Sequence, residues 1–431
     1  MDLHELAYRS REAFYPLSVS SNGLRNRAIL AIAGALEEEK ENIFAANAAD
    51  VAEAEKSGLS APMIHRLLFG EQKLRDVTAG LKSLSTLPDP IGETIFCNEI
   101  TEGLKLYRVT CPIGVLGVIF ESRPDALVQI ASLAIKSGNT VLLKGGREAI
   151  RTNQALTAVI RTALEREALS PDCVQLLETR EDVSAMLKED GLIDLIIPRG
   201  SKEFVRYVMD HSRIPVLGHS DGICHVYVDR DADPEKALKV AVDSKVQNVS
   251  VCNAMETLLV HREVAAAFLP PFAEKMREHH VRLLGDASVA NIIECEPASE
   301  QDWATEYLDY VLSIRVVDSV EEAIQHINRY GSHHTDCIVT ENTETAKRFM
   351  DCVDSAGVYQ NVSTRFADGF VYGFGAEVGI ATGKIHARGP MGLDGLTTYK
   401  YKLIGAGHIL AEMKSGQRQY THRRLDEKCP L

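Results

Sequence analysis

Along the first hundred residues the apolar positions recur at three-to-four spacing. Leu24, Ala28, Ile29, Ile32, Ala33 and Leu36 share one face before the polar run EEEKEN. The segments ENIFAANAADVAEAEKSG and MIHRLLFGEQKLRDVTAGLKSL are rich in alanine and leucine with glycine punctuation, and they also predict helices. Two prolines in LPDPIGE end that pattern. The texture then changes. IGVLGVIF predicts a short strand, ALVQIASLAIKSG a helix stopped at Gly138, and NTVLLKGG a second strand running into glycines. The helical pattern REAIRTNQALTAVIRTALEREAL follows, then the short apolar runs CVQLLE and LIDLIIPRG. After HSDGICHVYVDRDADPEKA the alternation resumes, with ALKVAVDSKV and VAAAFLPPFAEKMREH as helices and AMETLLVH, VLSIRVV and CIVT as strands.

Short apolar strands alternating with helices predict an α/β fold, a parallel sheet covered on both faces. Ligands in such sheets bind beyond the carboxyl ends of the strands, where the turns ESRP, KGG and PRGS fall. At 431 residues the chain exceeds what one core supports, and the restart of the alternation puts a second α/β domain near residue 227. The tail after Lys414, SGQRQYTHRRLDEKCPL, is polar and is expected to pack poorly.

Charge and composition narrow the function. A formal charge of -14 argues against a surface built for nucleic acid or anionic lipid, and a single Trp against base-stacking platforms. No apolar stretch approaches the roughly 20 residues that span a bilayer, and the start MDLHELAYRSREAF does not read as a secretory signal, so a cytoplasmic location is expected. Nine scattered cysteines with no C-x-x-C pair argue against a disulfide framework or a structural zinc site.

Several residues have the type and placement for chemistry. Cys252 lies in QNVSVCNAMETLLVH, in a small polar turn entering a strand, where backbone N–H groups can support a thiolate. On spacing alone, an inert cysteine is the better reading. The turn Arg199–Ser201 opens a helix and can offer N–H groups to a phosphate, or be an ordinary N-cap. Lys144 ends a buried-looking strand, facing either a cleft or solvent. Ser363, Thr364 and Arg365 place a guanidinium after a strand, suited to a carboxylate, a phosphate or a surface ion pair. The Gly-rich run KIHARGPMGLDGLTTYKYKLIGAG is a functional loop or a connection to an exposed edge strand.

The strings IGVLGVIFESRPD, TVLLKGG, IIPRGS, HSDGICHVYVD, CNAMETLLVH, NVSTRFAD and KIHARGPMGLDGLTTYKY occur in order from about residue 5 to about residue 410. Together they resemble the gamma-glutamyl phosphate reductase family, also called glutamate-5-semialdehyde dehydrogenases, a branch of the aldehyde dehydrogenase superfamily. The resemblance implies a Rossmann-like NADP-binding domain over 1–226, with 94–110 contributing oligomerisation strands, and a catalytic domain over 227–365. It implies a return to the cofactor domain and oligomerisation element over 366–412, leaving 413–431 as the polar tail.

By position, the resemblance makes Cys252 the nucleophile, with Asn253 as an oxyanion donor. It places Lys144, Gly200, Ser201 and Glu306 at the cofactor. Ser363, Thr364 and Arg365 would hold the substrate's carboxylate, and Arg123 or His386 would face its phosphate. The implied reaction is NADPH-dependent reduction of L-glutamyl 5-phosphate to L-glutamate 5-semialdehyde, a step of proline biosynthesis, with no metal. Glutamate 5-kinase is an implied partner, and a homo-oligomer, dimer or tetramer, is expected. Two departures stand out. Hydrolytic relatives keep a water-activating glutamate where this chain has His219-Ser220-Asp221-Gly222, and an asparagine where it has Ser122-Arg123. A reductase needs its thioester to outlast water, so losing that base fits the reductive direction. The rival readings are an oxidising aldehyde dehydrogenase and a non-catalytic scaffold; retention of Cys252 argues against the second.

Overall fold

The structure is a computed structural model that describes residues 2–121, 123–219, 221–374 and 377–431. The N-terminal helices are Leu3–Ser18, Asn22–Glu38, Lys40–Lys56, Ala61–Leu67 and Glu71–Thr86. The stripe read from the sequence is buried at Ala28, Ile29, Ile32, Ala33 and Leu36. The segment expected as one helix from Met63 to Leu84 is broken at Leu68–Gly70. The side chain of Asn47 accounts for the break: it donates to Leu67 O at 2.9 Å and accepts from Phe69 N at 2.8 Å. Those bonds replace the helical ones that Leu67 and Phe69 would make.

The chain then forms an antiparallel hairpin, β1 (Thr94–Thr101) and β2 (Leu104–Pro112). Next come β3 (Val115–Ile119), β4 (Thr140–Lys144), β5 (Val174–Leu177) and β6 (Leu195–Pro198), a parallel sheet of order β5-β4-β3-β6. A second parallel sheet is built from β7 (Cys224–Val228), β8 (Met255–His261), β9 (Arg282–Gly285), β10 (Glu296–Pro297), β11 (Val311–Val317), β12 (Thr335–Val339) and β13 (Gly357–Gln360). Its order is β10-β9-β11-β8-β7-β12-β13. The central strands β7, β8 and β12 are buried at every position, as a parallel sheet covered on both faces requires. A short ribbon follows, β14 (Gly379–Ala381) with β15 (Gly389–Met391). Finally β16 (Thr397–Ile404) and β17 (Arg423–Leu425) join the hairpin in a small sheet of order β16-β2-β1-β17.

Two compact units result. The first runs to Leu217 and takes in Phe374–Gly379 and Met391–Leu431; the second is Gly218–Gly373 with Ile380–Pro390. The division thus falls before HSDGICH, nine residues ahead of the 226/227 boundary read from the sequence. That segment belongs with β7: Ile223 N donates to Ser332 Oγ at 2.8 Å, and Cys224 Sγ to Cys252 O at 3.3 Å. The tail is largely exposed, as a polar stretch should be, and is tied down at a few points. Its strand β17 pairs with β1, Cys429 N donates to Thr94 Oγ1 at 2.8 Å, and Lys105 meets Glu427 at 2.7 Å. The open edge of β1 satisfies backbone groups that a polar sequence cannot advertise. No helix among the described residues is long and apolar enough to cross a membrane.

Candidate active site

Cys252 is half-buried in the turn between the helix Pro234–Val246 and β8. Both flanks of that turn are anchored. A fully buried ion pair, Lys245 Nζ to Glu256 Oε2 at 2.6 Å, ties the end of the helix to the strand. Ala254 N closes the turn on Val251 O at 3.0 Å. Gly222 is required here: a Cβ at that position would lie 2.1 Å from Cys252 O and 2.4 Å from its Cα. Gly222 therefore lies directly against the backbone of the cysteine.

That approach brings an imidazole to the thiol. One ligand atom each from His219, Cys252 and His334 lie within 4.8 Å of one another, and the two rings stand edge to face with centroids 5.1 Å apart. His219 Nδ1 is 3.0 Å from Ile380 O, an acceptor, so Nδ1 carries a proton. His334 is buried, with Nδ1 at 2.9 Å from Thr335 Oγ1 and no hydrogen-bond partner at Nε2. Burial, and the His219 ring beside it, push the His334 pKa well below the ordinary imidazole range. His219 stood in the sequence only as a departure from the hydrolytic pattern. His334 was not singled out there; its one signal is a histidine pair ahead of an apolar strand. Ser220 and Ser122, named with those departures, lie outside the described residues.

Cys252 differs from its neighbours. Burial drives the thiols of Cys173 and Cys337 up to about 12, and Cys224 rises for the same reason. Those cysteines are packing residues. Cys252, in contrast, lies within electrostatic reach of a guanidinium. Burial lowers the Arg365 pKa, and the charges of Cys252, Asp243 and Asp368 oppose that shift.

The STRF group is brought to the same place. Ser363 and Thr364 are buried: Ser244 Oγ bonds Ser363 Oγ at 3.2 Å, and Thr364 Oγ1 donates to Asn253 O at 2.7 Å. Their hydroxyls fasten the short helix Thr364–Phe366 behind the cysteine, leaving Arg365 to present its guanidinium, with Nε donating to Gln247 Oε1 at 2.8 Å. Asn253 is also a fastener: its Nδ2 donates to Ala367 O at 2.9 Å and to Arg365 O at 3.4 Å.

A separate cavity of about 540 Å³ opens in the first unit at the carboxyl ends of β3 and β4. Ile119, Phe120, Val183 and Phe204 give it apolar walls, and Lys144, Gly145 and Gly146 form its floor. Lys144 is buried, its Nζ donating to Gly145 O at 2.6 Å. A Cβ at Gly145 or Gly146 would fall 2.2 Å from Asn153 Nδ2 and 2.0 Å from Glu148 Oε1, so a side chain at either position would displace those groups. Apolar walls, exposed backbone and one buried cation are what a nicotinamide dinucleotide needs for its adenine, pyrophosphate and ribose, and the residues fit such a cofactor.

At the PRGS turn, Ser201 caps the helix Lys202–His211 by accepting from Phe204 N. A Cβ on Gly200 would lie 3.0 Å from Glu121 Oε1. Glu121 was not picked out in the sequence. Its carboxyl is raised by burial and by Glu148, against the Arg66 charge and a hydrogen bond from the Ser201 backbone. Of the remaining candidates, Glu306 lies in the second unit on the loop before β11, close enough to Glu256 to raise its pKa. Arg123 is exposed in the first unit, 3.1 Å from Asp125. His386 is exposed in the second unit, with a left-handed φ of 71°.

The aldehyde dehydrogenase family model matches residues 1–291. A gamma-glutamyl phosphate reductase of Pelotomaculum thermopropionicum is 56% identical over 427 residues, covering 99% of this chain and 98% of that protein. Gamma-glutamyl phosphate reductase 1 of a Synechocystis strain is 55% identical, covering 98% of each. The crystal structure of gamma-glutamyl phosphate reductase from Thermotoga maritima superposes with a TM-score of 0.93 at 40% identity, covering 95% of this chain and all of that one (100%).

Proposed function

The chain belongs to the aldehyde dehydrogenase family, in its gamma-glutamyl phosphate reductase branch, and from that membership we propose that it reduces L-glutamyl 5-phosphate to L-glutamate 5-semialdehyde through a thioester on Cys252. It is an oxidoreductase of proline biosynthesis. The observation that carries the covalent reading is the setting of Cys252. Of the chain's cysteines it is the one half-buried beside two imidazoles and a guanidinium.

The Cys252 thiolate attacks the γ-carbonyl carbon, and the C–O bond to phosphate breaks with the electron pair leaving on phosphate. Backbone N–H groups next to Cys252, with the Asn253 amide, are the candidate donors to the developing oxyanion. Arg365 pairs with the substrate's α-carboxylate, and Ser363, Thr364 and Asn253 hold its helix in place. Arg123 and His386 are the candidate partners of the departing phosphate. Lys144, Gly200, Ser201 and Glu306 are the candidate cofactor residues. NADPH, when bound, supplies the hydride that converts the thioester to a thiohemiacetal. Collapse returns Cys252 to the thiolate, a charge that Arg365 favours.

The reverse reaction tests this with a stable substrate. Purified protein given glutamate semialdehyde in its cyclic equilibrium form and NADP should reduce the cofactor only when inorganic phosphate is present. The Cys252→Ala variant should show no reduction. Reduction without phosphate would assign a hydrolytic dehydrogenase instead, and turnover by Cys252→Ala would end the thioester scheme.

A further inference from the structure

The cluster around Cys252 has the composition of a soft-metal site. A thiolate and two imidazoles are the donor set that selects Zn²⁺ and its thiophilic neighbours over Mg²⁺ or Ca²⁺. The three donors come from separate segments of the second unit: the loop ahead of β7, the turn ahead of β8 and the residue before β12. All three lie within 4.8 Å of one another. Tetrahedral zinc, with bonds of about 2.3 Å to sulfur and about 2.0 Å to nitrogen, holds such donors about 3.3–3.6 Å apart. Binding therefore draws the donors together, the half-buried Cys252 side chain turning toward the two rings.

Two further observations point to a ligand. His334 is 1% exposed and its Nε2 has no hydrogen-bond partner, a costly arrangement for a buried imidazole. Its Nδ1 is engaged by Thr335 Oγ1 at 2.9 Å and lies 3.7 Å from Cys224 Sγ, so Nε2 is the nitrogen left to offer. The His219 ring is also held at Nδ1, by Ile380 O at 3.0 Å. A ring held at one nitrogen is how metal-binding histidines are oriented.

We propose that Cys252, His219 and His334 form a binding site for a zinc-class divalent cation that reversibly caps the nucleophile. Binding replaces the thiol proton with a metal–sulfur bond, and the proton passes to solvent. The sulfur lone pair is then committed to the metal, so the enzyme is inhibited until the ion is removed. The ion takes no part in the reaction; it is an inhibitor. Binding stands independently of the proposed function, whereas the capping rests on that reading.

The test uses the full-length protein with Zn²⁺ and with Co²⁺ as a spectroscopic probe. One equivalent should bind, measured by competition with a chromophoric chelator. Cobalt should give a near-ultraviolet thiolate charge-transfer band that Cys252→Ala lacks. His219→Gln should weaken binding by at least about tenfold, since even residues that only support ligands cost on the order of 10- to 100-fold. His334→Gln should do the same, and if that buried variant does not fold, His219→Gln carries the test. Zinc should abolish phosphate-dependent NADP reduction, and a chelator should restore it. Undiminished binding in Cys252→Ala, or a wild-type protein that turns over but binds no equivalent, overturns the site. Metal binding in a protein that never turns over would instead remove the functional reading and leave the site standing.

Discussion

At Arg365 burial and charge pull in opposite directions. Desolvation disfavours the guanidinium, while Cys252, Asp243 and Asp368 favour it, and Gln247 fixes its Nε. A cation kept partly dry in this way gains most from an anionic partner, because charge-assisted hydrogen bonds are worth about 1.5–3 kcal/mol each. Arg365→Ala should therefore raise KM for glutamate semialdehyde by roughly ten- to a hundredfold, with a smaller effect on kcat. Arg365→Lys should recover part of the loss. Steady-state kinetics on variants whose circular dichroism matches the parent would decide, and an unchanged KM would remove the carboxylate assignment. Gly222 makes the complementary point. Its value is the space it leaves, since any side chain would displace Cys252 itself.

The helix Val320–Tyr330 carries a buried histidine whose titration reaches the whole second unit. Ser319 caps it, and His326 on its inner face meets Arg315 of β11, His225 of β7, Trp303, and Tyr330 of its own helix. Arg315 Nη1 donates to His326 Nδ1 at 3.1 Å, so the ring is held neutral. Burial first, then the charges of His225, Arg315 and Arg329, push its pKa down to about 2 from 6.5. The folded form cannot take a proton that the unfolded chain accepts below about pH 6.5. Stability from this group is complete above that pH and falls by about 1.4 kcal/mol for each pH unit below it. Chemical denaturation between pH 7 and pH 5 should show that slope, and His326→Gln should flatten it. An equal slope in parent and variant would assign the acid sensitivity to other groups.

At the scale of the molecule, the cavity at the carboxyl ends of β3 and β4 belongs to one unit and the cysteine cluster to the other, while the small sheet extends the first unit. That sheet ends on β16, which has β2 on one side and no strand on the other among the described residues. Tyr399, Tyr401 and Leu403 share one face of it, each 49% or more exposed. An unpaired edge with an apolar face is a template for a second copy of the same strand. The protein should run as a dimer or tetramer by size-exclusion chromatography with light scattering. The double substitution Tyr401→Asp with Leu403→Asp should yield a smaller species. A monomeric parent at micromolar concentration would refute this role for β16.

What the sequence determined by itself was periodicity and local chemistry. Central strands buried on both faces had to be largely apolar, so β3, β4, β8, β11 and β12 were legible, as were helices such as Pro124–Lys136 and Arg262–Glu278. The β1–β2 hairpin was harder: its intermediate positions alternate with buried ones, and it was reached only through family resemblance. The type of Cys252 was legible, but its selection from nine cysteines was not, because spacing carries no information about exposure or neighbours. Tertiary structure decided which side chains share a site. His219 and His334 are 115 residues apart, and only the adjacency of β7 and β12 in the sheet closes them around Cys252. It also set the role of polar residues. Ser363, Thr364 and Asn253 are buried, and their side chains meet Ser244 Oγ, Asn253 O and Ala367 O, neighbours that spacing along the chain does not reveal. Strand order and burial are properties of the folded chain, and no local pattern encodes them.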